Sequence, residues 1–207
     1  MRFGYPIMLD VSDRLVVIVG GGSVAVRKAR GVLEAGAKRV RCVAPRIDSA
    51  MPPPVERLAE QYEARHLDGA GLVFAATDAR EVNDAIVRDA HVRGAIVGRA
   101  DHDETIPGDF TTPAKLRQGP VNVAVSAGGS PALAVLIRDG LLERWDLRWT
   151  LMAEMMQSLR REITAEVPDP LSRREAFRAL ATDEALDVLE RDGVQGVKDW
   201  LARRDSH

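Results

Sequence analysis

The chain has 207 residues, 45% of them hydrophobic and 29% charged, with a formal net charge of −2 at pH 7, which suits one α/β domain plus a smaller appendage and argues against a generally nucleic-acid-binding surface. Four Phe, two Tyr and three Trp offer few rings for base stacking, and no Lys/Arg block is interleaved with them. The single cysteine, Cys42, excludes an intrachain disulfide framework and any multi-cysteine metal site; with no leader pattern and no apolar run of about twenty residues, the expectation is a soluble, cytoplasmic protein with no membrane or nucleic-acid partner.

In chain order, Pro6 to Val11 reads as a short strand, which Ser12-Asp13 turns into a second. Leu15 to Val19 is a continuous, largely β-branched run, the pattern of a parallel strand buried on both faces. It stops at Gly20-Gly21-Gly22 and passes into helical spacing at Val24, Val32 and Leu33, with Gly36 as the C-terminal stop. Arg39 to Val43 is the next strand and carries Cys42 as a small core residue. After the proline-rich loop Met51 to Pro54, Val55 to Gln61 reads as a short helix. Leu72 to Thr77 is another buried strand, followed by a helix around Asn83 to Arg93 and a further parallel strand at Ala95 to Val97. This alternation predicts an α/β fold with a doubly wound parallel sheet of Rossmann type. Its ligand is expected beyond the carboxyl ends of the strands, where Gly22, Thr77, Asp78 and Gly98 lie.

Asp101 to Thr112 is polar and rich in turn formers, and reads as a functional loop. Val121 to Val125 resumes strand patterning, Ser126 to Ser130 makes a second glycine turn, and Pro131 suits the first turn of a helix. The rest is helical. Leu147, Leu151, Met155 and Leu159 recur every fourth residue, and Met152, Met156 and Ile163 widen that face into a core or partner-contact stripe. Pro168-Asp169-Pro170 ends this helix, and shorter helical patterns follow around Arg173 to Leu180, Glu184 to Arg191 and Val194 to Arg203.

The glycine segment carries the first chemical signal. Gly20 permits a tight turn, Gly22 lets backbone N–H groups approach a pyrophosphate, and Ala25 is the third small position, so Gly20, Gly21, Gly22, Ser23 and Val24 read as a dinucleotide cradle. About twenty residues further on, an acid usually accepts the ribose 2′-hydroxyl. Here the segment is Ala44-Pro45-Arg46, and Arg46 can meet a 2′-phosphate, stack on adenine or remain solvated, so spacing leaves NAD and NADP both open. Thr77 and Asp78 complete the expected cofactor edge. His102 between Asp101 and Asp103 does not predict a permanent metal site, because adjacent residues rarely point at one ion.

Three segments together resemble the precorrin-2 dehydrogenase family, the sirohaem-synthase dehydrogenase/ferrochelatase module. They are Pro6-Ile7-Met8-Leu9-Asp10-Val11 leading to Val19-Gly20-Gly21-Gly22-Ser23-Val24-Ala25-Val26-Arg27-Lys28-Ala29; Ala75-Ala76-Thr77-Asp78 with Asn83; and Val123-Ala124-Val125-Ser126-Ala127-Gly128-Gly129-Ser130-Pro131-Ala132-Leu133-Ala134. The likeness runs from residue 4 to about 145, and residues 146–207 match only as a helical tail. It implies a Rossmann NAD-binding domain over 1–112, a dimerisation and substrate segment over 113–145, and a small helical domain over 146–207, in a homodimer. It also implies NAD as cofactor and precorrin-2, a polycarboxylate tetrapyrrole, as substrate, dehydrogenated to sirohydrochlorin in sirohaem or corrinoid biosynthesis. Some members also insert ferrous iron.

In the family an Asp general base follows the fourth strand within Asn-x-x-Asp. The equivalent stretch here is Gly98-Arg99-Ala100-Asp101, which lacks the Asn and implies Asp101 as the base, with Asp103 as the alternative because the loop to Phe110 is longer than usual. For the substrate carboxylates, Arg99, Lys115, Arg117 and Arg138 lie in regions able to face a cleft. Ser126, Gly128, Gly129 and Ser130 form an anion-receiving turn, with a helix cap as the other reading of Ser130. The expected activity is NAD-dependent dehydrogenation of precorrin-2; a sirohydrochlorin ferrochelatase, alone or bifunctional, and a non-catalytic dinucleotide-sensing module are the alternatives.

Overall fold

The computed structural model describes residues 4–101, 106–166 and 169–204. The chain divides into two compact units, Met1–Thr112 and Pro113–His207. In the first, strands β1 (Leu15–Val19), β2 (Arg39–Val43), β3 (Glu56–Leu58), β4 (Ala70–Ala75) and β5 (Ile96–Arg99) form one sheet in the order β3-β2-β1-β4-β5. Every pairing is parallel. Helices α1 (Ser23–Glu34) and α2 (Arg80–Val92) complete a doubly wound fold of Rossmann type.

The unbroken apolar run of β1 is explained by its central place. Val16 and Ile18 join Ala25, Val26, Ala29 and Val32 of α1 in one core. Leu15, Val17 and Val19 face the other way, into a core with Ile86, Val87 and Ala90 of α2. All five residues are buried, and each contributes about 1.5–3 kcal/mol of hydrophobic stabilisation. Cys42 is fully buried beside this strand, where its thiol donates to the Gly20 carbonyl at 3.3 Å. Burial pushes that thiol up to about 11.

Two expected elements of this unit differ. Pro6 to Val11 is not a strand: Val11 is buried, but Ile7 and Met8 are 66% and 74% exposed. β1 is already paired on both sides, so the preceding segment has no adjacent ladder to join. Val55 to Gln61 is not a helix; Glu56–Leu58 pairs with the free edge of β2, aided by an Arg41–Glu56 ion pair at 2.8 Å. Behind three prolines, seven residues are too few to offset helix nucleation.

In the second unit, β6 (Ala114–Gln118) and β7 (Val121–Val125) form an antiparallel hairpin against which α3 (Pro131–Glu143) packs. β6 was not among the expected strands, although Leu116 is buried between exposed Lys115 and Arg117 in period-two alternation. Helices α4 (Leu147–Glu166), α5 (Pro170–Leu180) and α6 (Asp183–Arg204) surround a separate core, with α6 broken at Gly193, where two helices were expected. Met152, Met155, Leu159 and Ile163 enter that core, whereas Leu147 and Leu151 are 69% and 50% exposed. A strict every-fourth-residue stripe drifts around a helix with 3.6 residues per turn, so Leu147 and Leu159 point about 120° apart. Among the described residues, no helix is long and apolar enough to cross a membrane.

Candidate active site

The carboxyl ends of the parallel strands bring together Gly20–Gly22, Pro45, Arg46, Thr77, Asp78, Arg99 and Asp101, all from the first unit. The glycine loop is clamped between the loops after β2 and β4. Gly20 adopts φ +128°, and a Cβ there would lie 2.1 Å from the Ala76 carbonyl oxygen; at Gly21 it would lie 1.8 Å from that of Arg46. Backbone bonds fix this contact, with the Gly20 amide donating to Val43 at 2.9 Å and the Asp48 amide to Gly21 at 2.9 Å.

Gly22 is different: a Cβ on it would meet nothing within 4 Å. It is the N-cap of α1, makes no side-chain capping bond, and precedes a first turn free of acidic residues. An open approach to the positive end of a twelve-residue helix, flanked by exposed Ser23 and half-buried Val24, fits a dinucleotide pyrophosphate. Pro45 and Arg46 are exposed beside the loop, where the adenosine half of such a cofactor would be met.

A polar network closes the other side. Asn83, fully buried on the first turn of α2, donates through Nδ2 to the Thr77 carbonyl at 2.9 Å and to Asp101 Oδ2 at 3.0 Å. Its Oδ1 accepts from the Thr77 hydroxyl at 2.8 Å and the Thr77 amide at 3.2 Å. Thr77 is thereby fixed, while Asp78 beside it is exposed. Asp101 also receives two bonds from Arg99, one from Nε to Oδ1 and one from Nη2 to Oδ2 at 2.8 Å. The Arg99 bonds, supported by Asn83, hold the Asp101 carboxyl below the usual carboxylate range against the opposing effect of burial.

Arg99 is therefore placed differently from the expectation. Its side chain is 3% exposed, and its guanidinium is bound by Asp101, Asp84 and the Ile106 carbonyl, so it faces these groups and not a substrate cleft. Asp103, the other candidate base, lies outside the described residues, as do His102 and Glu104. Asn83 was noticed in sequence only as part of a motif. Its role depends on a contact across 18 positions, for which sequence offers no local signal.

The remaining candidates lie in the second unit. Ser126 is exposed after β7, and Gly128 and Gly129 turn the chain with φ +55° and +85°. Ser130 caps α3, its Oγ accepting from the Leu133 amide at 3.3 Å, which is the helix-cap reading. Lys115 is exposed on β6 in register with Ala124. Among the described residues, no group of three or more His, Cys, Asp or Glu could hold a metal ion.

A family model described as "Putative NAD(P)-binding" matches residues 7–114. The chain is 34% identical over 202 residues to "Siroheme synthase 2" of Aeromonas hydrophila subsp. hydrophila, covering 95% of this chain and 42% of that protein. It is 36% identical over 191 residues to "Siroheme synthase" of Chromobacterium violaceum, covering 89% and 40%. The chain thus spans less than half the length of these curated relatives. The solved structure titled "SirC, precorrin-2 dehydrogenase" shares the fold, with a TM-score of 0.78 over 97% of this chain and 100% of that one, at 22% identity. With the glycine loop, the open helix N-terminus and the parallel sheet in place, the chain belongs to the NAD(P)-binding family whose model spans residues 7–114.

Proposed function

We propose that this protein is an NAD-dependent precorrin-2 dehydrogenase that forms sirohydrochlorin in sirohaem or corrinoid biosynthesis. The observation that carries the reading is the Asp101 carboxylate, anchored by Arg99 and Asn83 at the same sheet edge as the glycine loop and the uncapped start of α1. The siroheme synthase relatives and the fold shared with a precorrin-2 dehydrogenase support it.

The reaction removes two hydrogens from the tetrapyrrole, one as hydride and one as a proton. A bound nicotinamide supplies the hydride acceptor. Gly20–Gly22, Ser23 and Val24 would hold the pyrophosphate, and Thr77 and Asp78 would contact the same dinucleotide. Asp101 takes the proton: Oδ2 accepts two bonds, from Arg99 and Asn83, while Oδ1 accepts one, from Arg99 Nε, and keeps the remaining lone pair for the proton. Its ionised state is secured at neutral pH by the same bonds that weaken its basicity. Proton transfer succeeds because the carbon skeleton becomes strongly acidic as hydride departs. Ser126, Gly128, Gly129 and Lys115 are proposed to receive substrate carboxylates.

Purified protein incubated with precorrin-2 and NAD should produce reduced cofactor together with the sirohydrochlorin spectrum; no cofactor-dependent oxidation overturns the reading. Asp101→Ala should abolish turnover with cofactor affinity unchanged, while Asp103→Ala retains turnover. NAD is the proposed cofactor, with Arg46 the residue on which preference over NADP turns, and parallel assays with both dinucleotides decide it.

Residues 113–145 are proposed to pair two copies of the chain. In support, α3 leaves Leu133, Val135, Leu136, Ile137, Leu141 and Leu142 between 40% and 68% exposed, an apolar face unusual for a monomer surface. Light scattering should give a dimer mass, and Leu136→Asp should give the monomer; a monomeric wild-type chain at micromolar concentration contradicts this.

A further inference from the structure

Arg99 departs from the sequence expectation in its setting, being bound inside the fold and not facing a cleft. It ends β5, where strand alternation puts its side chain on the face of Val97, toward α2, while Gly98 faces the Phe110 ring on the opposite side. A Cβ at Gly98 would stand 2.5 Å from that ring, so the ring packs directly against the backbone at the end of the strand. On the α2 face the guanidinium meets Asp84, one residue beyond Asn83, and also binds Asp101 and the Ile106 carbonyl, the latter at 3.0 Å.

We propose that Arg99 is a positioning residue: anchored to α2 by Asp84 and to the following loop by Ile106, it fixes the orientation and charge of Asp101, the group that accepts the substrate proton. The planar fork of arginine uses Nε and Nη2 on one carboxylate and Nη1 on the other, which a lysine cannot reproduce. Two carboxylates on one cation leave this cluster with one net negative charge, so among the described residues Asp101 has Arg99 as its one bonded cation and shares it with Asp84. Side-chain exposures of 3% for Arg99, 18% for Asp84 and 30% for Asp101 place the cation innermost and the accepting carboxylate outermost. Among the described residues, the charged groups bearing on Asp101 are Arg99 from β5 and, through it, Asp84 from α2; Asn83 and Thr77 are neutral. The inference rests on the proposed dehydrogenase reading for its chemistry but not for its geometry.

The test follows the Asp101 carboxyl carbon by NMR across pH in wild type, Arg99→Gln, Arg99→Lys and Asp84→Asn, beside the pH profile of kcat/KM. Arg99→Gln should raise the Asp101 midpoint by roughly one to two pH units, because an opposite charge is lost while a like charge stays. The acid limb of the kcat/KM profile should move with it. Arg99→Lys should restore the midpoint but leave kcat down roughly tenfold or more, since charge returns without the fork's geometry. Asp84→Asn should not raise the midpoint. A folded Arg99→Gln with the wild-type midpoint overturns the proposal, as does full activity in Arg99→Lys. If Arg99→Gln does not fold, the lysine variant carries the test alone. The NMR titration requires no turnover, so an inactive wild type would sink the dehydrogenase reading and leave this one to be judged separately.

Discussion

Gly21 and Gly22 are adjacent and chemically identical, yet their surroundings predict opposite consequences for substitution. At Gly22 the backbone is extended, with φ −85° and ψ −170°, and a Cβ meets nothing within 4 Å. Gly22→Asp therefore fits sterically and supplies the cap and first-turn charge that α1 lacks. Replacing an N-cap Gly by Asp gains a few tenths of a kcal/mol, and the helix dipole adds about 0.3–1 kcal/mol. The melting temperature should stay level or rise by roughly 1–4 °C. The same carboxylate about 4 Å from a pyrophosphate charge costs on the order of 4 kcal/mol at an effective dielectric of 20, a loss of roughly a thousandfold in cofactor affinity. At Gly21 a methyl group would overlap the Arg46 carbonyl oxygen, a backbone atom that cannot rotate away. Gly21→Ala should cost about 1–3 kcal/mol or more and lower the melting temperature by several degrees. Thermal melts paired with NADH fluorescence titrations separate the two. Gly22→Asp binding NADH within about tenfold of wild type, or melting below Gly21→Ala, refutes the assignment of Gly22 as the open side of the cradle.

Two further outcomes test the cores. Leu180→Ala should destabilise the second unit by about 2–5 kcal/mol in denaturant melts followed by helical circular dichroism, because Leu180 is fully buried, whereas Leu147→Ala should stay within about 0.5 kcal/mol. Cys42 should resist aromatic disulfide reagents at pH 8 until the chain is unfolded. Because its folded thiol titrates near 11, above an unfolded thiol, the folded state retains a proton the unfolded state sheds. Stability should therefore fall as the pH climbs from about 8.5 toward 11, and Cys42→Ala should remove that slope.

Much of the first unit was readable in the letters because its signals are local. A central parallel strand must be apolar on both faces, so Leu15 to Val19 declares itself, and the glycines after it mark where backbone must approach backbone or ligand. Arg39–Val43 and Val121–Val125 were legible for the same kind of reason, being short runs of strand character between turn formers. The segment at Glu56–Leu58 was not, since its conformation comes from the free edge of β2 and not from its own pattern. The face of α4 was legible only in part, because stripe and core axis diverge by rotation along the helix.

The sequence by itself determined the alternation of apolar strands and helices, the glycine loop at a helix start, and the motif resemblance that directs attention to Asp101. Only the tertiary structure decided what surrounds that aspartate. Asn83 and Asp84 stand 18 and 17 positions before it, yet α2 returns both to the end of β5, and Arg99 is consumed between two carboxylates instead of facing the cleft. The physical reason is that a covalent pattern of period two or 3.6 specifies which face a residue takes, while partners across a sheet edge are specified by how strands and helices pack. The electrostatics of a candidate base belongs to that second class.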